Sequence, residues 1–188
     1  MNQNPGIKYG IIGAVVWFAV GVLIQMVILS YLKNAANTSE KFSGGKFILF
    51  SIISLVIICG IFIFCIVKSM KDYRKLDPEY TYRKLVGQGL TATLILVLLS
   101  TGLGYLYNEV ISPETREKTV ELTKQVYQHL DIPDDQKEKA IERLNNQDPV
   151  RQLLTSLGLT LLLGMIVSLI SASVLNLRAN MNNPNQMR

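Results

Sequence analysis

His129 is the chain's only histidine, and Asp131 follows it two residues later. An imidazole beside a carboxylate can act as a general base, but only with a nucleophile or a metal in reach. The sequence places neither there. A cation at the end of a helix, facing the negative end of its dipole, is the ordinary role for such a residue. The two cysteines, Cys59 and Cys65, share one apolar run. Six residues along a helix set them about 9 Å apart and pointing in different directions, so they do not bridge each other. With no second cysteine pair and no neighbouring histidine, they make no zinc site either, and they read as small apolar packing residues. We expect no catalytic residue, no metal and no cofactor, and we read the protein as a non-enzyme.

Polar chemistry elsewhere is sparse. Gln25, and Gln88 nearer an edge, are amides inside otherwise apolar stretches, and a glutamine there needs a partner because lipid offers none. An interhelical hydrogen bond is its expected role. Ser156, Thr160, Gly164, Ser168 and Ala172 recur every fourth residue. They form one helix face that drifts by about 40° per step. Small residues on a face let a second helix approach closely, so packing is the expected role; a water-lined face is the other reading. Ser100-Gly104 and Gly10-Ala14 repeat the pattern more weakly. Tyr73, Tyr80 and Tyr82 interleave with six bases in residues 68–84. Such a segment could stack on single-stranded nucleic acid, but beside two apolar runs it serves topology, anionic lipid and headgroup anchoring instead. No nucleic-acid partner is expected.

The elements that carry these residues follow from charge. Residues 9–32, 47–67, 85–108 and 152–177 hold no charged side chain and make up half the chain. A helix needs roughly 20 apolar residues to cross about 30 Å of hydrocarbon. The fold class is therefore all-α: a single integral membrane domain over 1–188, a four-helix bundle whose partner is the lipid bilayer. Transmembrane barrel strands would alternate in polarity, whereas these runs are apolar on every side. The first run is too long for a signal-peptide core and lacks a small-residue cleavage pattern after it, so it reads as an uncleaved span.

Proline marks the helix starts. Pro5, Pro78, Pro113, Pro133 and Pro149 each stand where a helix should begin, four of them after Asn, Asp or Ser, which suits the first turn and its cap. The spacing predicts long helices over 5–33, 45–75, 78–110 and 149–178, with two short polar helices over 113–130 and 133–146. The absence of any ionisable group inside the four runs argues against an ion-coupled transporter or proton pump.

Orientation comes from lysine and arginine in short flanks. One side has nine: Lys8, Lys68, Lys71, Arg74, Lys75, Arg83, Lys84, Arg178 and Arg188. The short loop opposite has Lys33, Lys41 and Lys46. Both termini are therefore expected in the cytoplasm, and the hairpin over 112–147 in the periplasm. In that hairpin Leu122, Val126 and Leu130 form a narrow apolar stripe, matched by Ile141 and Leu144 on the second helix. Each stripe is too narrow to hold up a free helix. We expect this face to bury against its mate, the membrane surface or a partner.

Several stretches are familiar: Asn4-Pro5-Gly6-Ile7-Lys8-Tyr9-Gly10-Ile11-Ile12-Gly13 entering the first span, Lys71-Asp72-Tyr73-Arg74 after the second, Tyr80 to Gly89 leading into the third, and Tyr107-Asn108-Glu109-Val110-Ile111-Ser112-Pro113-Glu114 closing it. With an acidic amphipathic segment and a Gly/Ser-rich last span behind them, they resemble the bacterial domain-of-unknown-function family 4199. The resemblance implies a small inner (plasma) membrane protein and supplies no functional residues. Together these readings point to a membrane module that scaffolds or modulates a partner protein, or a second copy of itself, through the hairpin or a bundle face. The alternative is a passive pore or uncoupled transporter lined by Ser156, Thr160, Ser168 and Gln25.

Overall fold

A computed structural model describes residues 4–37, 44–129, 133–145 and 149–182. They form α1 (Pro5–Asn37), α2 (Gly44–Leu76), α3 (Tyr82–Leu106), a π-helical turn (Tyr107–Ile111), α4 (Pro113–His129), α5 (Asp134–Asn145) and α6 (Pro149–Asn182), with no strand among the described residues. Four helices, α1, α2, α3 and α6, are long and apolar enough to cross a membrane. At about 1.5 Å per residue the 33 residues of α1 reach roughly 50 Å, well beyond the hydrocarbon. Their outer surfaces carry large exposed apolar side chains such as Leu23, Val56, Phe64 and Leu162. In water that surface would be costly; in lipid it is the natural solvent-facing layer. The protein is an all-α membrane bundle.

The helices form a rhombus. α3 packs on α1, α2 and α6, and α2 packs on α1, α3 and α6; α1 and α6 do not touch among the described residues. The α2–α3 diagonal therefore closes the middle of the bundle. Ile66 and Met70 of α2 meet Leu85, Leu96 and Val97 of α3 there, with Ala172 and Leu175 of α6 against them. Trp17 of α1 packs edge-on to Phe62 of α2, their rings 5.7 Å apart. This core lies in the half of the bundle that holds the N-terminus, the α2–α3 turn and the end of α6. In the other half, the N-terminal halves of α6 and of α2 present Leu154, Leu159, Ile52 and Val56 outward.

Helix starts depart from the proline rule in one place. The sequence predicts a helix from Pro78, but α3 begins at Tyr82 with Thr81 as its cap, the Thr81 Oγ1 accepting from the Lys84 N–H at 3.4 Å. Pro78 and Glu79 form a turn instead, closed by the Tyr80 N–H donating to the Asp77 carbonyl at 3.2 Å. The Asp77 carboxylate accepts from the Tyr73 hydroxyl at 2.8 Å, the Lys84 ammonium at 2.9 Å and the Glu79 backbone. At the chain's start the rule works as expected: Asn4 Oδ1 accepts from Gly6 N–H at 2.9 Å. The π-helical turn was not foreseen in the sequence.

Candidate functional site

Two ends of the bundle carry its polar chemistry. At the core end, four helices are tied by side chains from the Tyr/Asp/base segments. The Tyr9 hydroxyl of α1 donates to Asp72 Oδ2 of α2, and Lys68 and Lys75 flank the same carboxylate at 3.5 Å each. Gly6 N–H donates to Gln88 Oε1 of α3 at 3.1 Å. Arg74 donates to the Leu175 carbonyl of α6 at 3.3 Å and lies over the Tyr80 ring at 5.1 Å. Tyr82 of α3 donates to the Leu169 carbonyl of α6 at 3.4 Å. Gln88 thus makes the interhelical bond expected of it, as does Gln25, whose Nε2 donates to Asn108 Oδ1 at 3.3 Å. From the sequence, the bases and tyrosines here are expected only as membrane anchors. The missed signal was Asp72 and Asp77 standing among them, since acids inside a basic run have partners close at hand.

Asp77, at the turn outside the spans, is one part of this network that responds to acid. The Lys84 ammonium, then the Tyr73 hydroxyl, hold its carboxyl below the ordinary carboxylate range. A carboxyl lowered on folding contributes stability that is present above its unfolded value, about 4. That stability is lost as pH falls through the folded value. The difference in thermal stability between the wild type and Asp77→Asn is therefore expected to be full above about pH 4 and to shrink below it. Denaturation scans in detergent across that range check it; a difference that grows on acidification contradicts the clasp.

The small-residue faces are used unevenly. Gly164, Ser168 and Ala172 of α6 are buried, whereas Ser156 is exposed and Thr160 half-exposed. The cause is the drift of an every-fourth-residue stripe around the helix: a straight neighbour follows only part of it. Thr160 and Ser156 return their hydroxyls to their own backbone, at Ser156 O and Leu153 O. Along the buried part the crossing is reciprocal. Thr93 of α3 sits over Gly164, and Ser168 sits over Gly89 of α3, so closely that a Cβ on either glycine would collide. The Thr93 and Ser168 hydroxyls are buried without a hydrogen-bond partner among the described residues; the facing glycine Cα–H groups are the contacts left to them. On α1, Gly6, Gly10 and Gly13 also approach Gln88, Ile95 and Leu96 too closely to admit a Cβ without a shift, though less tightly than Gly164 and Gly89. The Gly10-Ala14 pattern is therefore a packed face, while Gly104 of the Ser100-Gly104 pattern has nothing within 4 Å. The residues expected to line a pore are thus spread between a sealed crossing, an outer surface and the Gln25–Asn108 bond.

At the other end α4 lies against α1 and the π-helical turn, and α5 packs on α4. Phe18 of α1 meets Tyr107 of that turn edge-on at 5.9 Å. Leu122 and Ile141 are half-buried. Val126 and Leu144 lie within α4 and α5, but their side chains, like that of His129, fall outside the described residues, as does Leu130 altogether. Glu117, Lys118, Glu121, Glu138, Lys139 and Glu142 face outward, and Lys118 pairs with Glu114 at 2.9 Å. Among the described residues no three of His, Cys, Asp and Glu gather as metal ligands. Cys65 is buried and Cys59 exposed, and both are free thiols.

No curated protein and no solved structure matches the chain. A family model described as "Protein of unknown function (DUF4199)" matches residues 8–176. That span covers most of the chain, from beside Tyr9 in α1 to beside Leu175 in α6, and the chain belongs to this family.

Proposed function

We propose that the protein is a non-enzymatic module of the bacterial inner membrane that scaffolds or modulates a partner protein through its extramembrane hairpin. The observation that carries the reading is the seating of α4 on α1 and the π-helical turn. A helix with so narrow an apolar stripe gains little by itself, yet here it is held in one place with a mixed-charge face outward. Such a face, supported by a bundle, suits recognition of a folded partner by charge complementarity. The lysine and arginine distribution favours a cytoplasmic N-terminus and C-terminus, with residues 112–147 in the periplasm. The partner is a different protein or a second copy of the chain.

Photo-crosslinking in cells tests the reading. Crosslinkers at Glu117, Glu121 and Glu142 are expected to give one discrete adduct, and the Glu117→Lys/Glu121→Lys variant is expected to lose it. An adduct from none of the three positions, or one indifferent to charge reversal, contradicts the proposal.

A further inference from the structure

A groove of about 510 Å³ opens between α2, the 77–81 turn and α6, lined by Lys68, Lys71, Arg74, Lys75, Pro78, Tyr80 and Leu175. Four bases meet there. The acid beside them, Asp72, balances one charge through its contacts with Lys68 and Lys75. Lys71 is exposed and makes no ion pair among the described residues. Arg74 is held in place from two directions, by the Leu175 carbonyl and the Tyr80 ring, and its fork of five N–H donors exceeds what one carbonyl accepts. The groove is therefore a pre-positioned cluster of donors with surplus positive charge.

Its depth identifies the occupant. Lys68 is the first charge after the apolar run 47–67, and Leu175 stands two residues before the last run ends, so the groove sits at headgroup level. Directly along α2 from Lys68, one turn deeper, Phe64 is 64% exposed. One turn deeper again Gly60 has nothing within 4 Å. This leaves an apolar track leading from the bases into the hydrocarbon. A free anion would use the bases alone; a lipid uses both. We propose that this groove holds the phosphoryl headgroup of an anionic phospholipid, with an acyl chain lying along Phe64 and Gly60. Basic pockets between spans recognise anionic headgroups in this way.

The test uses the full-length protein in neutral detergent, with binding read by native mass spectrometry and by thermal shift. Phosphatidylglycerol is expected to bind and stabilise; phosphatidylcholine with the same acyl chains is not. Each lysine near the surface contributes about a fivefold change in affinity, so Lys71→Gln should weaken phosphatidylglycerol about fivefold and Lys68→Gln/Lys71→Gln about 25-fold. Lys118→Gln/Lys139→Gln, an equal charge removal on the hairpin, should leave it unchanged. Should the double variant not fold, Lys71→Gln carries the comparison, since it has no ion pair among the described residues to lose. Equal binding of the two lipids, wild-type affinity in Lys71→Gln, or an equal stabilisation by inorganic phosphate alone overturns the proposal; the last outcome would assign the groove to a soluble phosphate.

Discussion

Gly164→Ala is expected to leave the bundle about 1–3 kcal/mol less stable than Gly158→Ala, the range that overpacking a tight site costs. Comparing two glycines of one helix cancels the helix propensity that alanine brings to both, about 1 kcal/mol. What remains is steric. At Gly158 the new methyl meets nothing within 4 Å. At Gly164 it runs into Thr93, whose branched side chain has few rotamers to retreat into, with the Phe62 ring 3.0 Å away on another side. Gly10→Ala should behave like Gly164→Ala, because the obstacles are the Ile95 Cβ at 2.8 Å and the Ala92 carbonyl at 3.0 Å, neither of which moves without its helix. Gly89→Ala should be milder, since part of its obstruction is the flexible end of Met70. Thr93→Val removes a buried hydroxyl that has no partner among the described residues and should be neutral or stabilising. Thermal or denaturant unfolding in detergent ranks the series; equal effects at Gly158 and Gly164 would mean that α3 and α6 do not cross at these residues.

The second large effect is expected at Asp72. Its carboxylate accepts from Tyr9 across the α1–α2 interface and is flanked by two lysines. The ion pairs are partly solvated and contribute little. The hydrogen bond to a charged group is the larger part, and Asp72→Ala is expected to cost about 1–3 kcal/mol. Tyr9→Phe should lose most of the same bond, so Tyr9→Phe/Asp72→Ala should cost less than the sum of the two single changes. A coupling of at least about 1 kcal/mol in that double-mutant cycle is the predicted reading. Strict additivity would show that Tyr9 and Asp72 do not act on each other.

Much of this architecture is legible in the sequence because one quantity dominates it. Uncharged runs long enough to cross a bilayer have few other places to go, and proline with a polar residue before it marks where three of the six described α-helices, α1, α4 and α6, begin. Pro78 breaks that rule because the Asp77–Tyr80 segment closes as a turn, with the Asp77 carboxylate bonded to Tyr73 four residues before it and Lys84 seven after it, and the proline signal alone does not choose between a turn and a helix start. The π-helical turn at Tyr107–Ile111 also escapes the sequence; its Tyr107 and Asn108 meet Phe18 and Gln25 of α1, far away in the chain. The small-residue pattern is legible as a face, but not as a contact. Gly10-Ala14 and Ser100-Gly104 read alike, and only the first has a helix laid against it, because packing depends on which neighbours the topology brings. The Tyr9–Asp72 clasp joins residues 63 apart in the chain, beyond the reach of any periodicity.

The central claim is that the chain crosses the bilayer four times, with the α2–α3 turn and the α4–α5 hairpin at opposite ends. Single cysteines at Asn34, Asp77, Glu138 and the C-terminal Arg188, in a background lacking Cys59 and Cys65, read it most directly with a membrane-impermeant thiol reagent on intact and opened vesicles. The account predicts that the cysteines at 34 and 138 react from one side and those at 77 and 188 from the other. Reaction of the cysteines at 77 and 138 from the same side would contradict it.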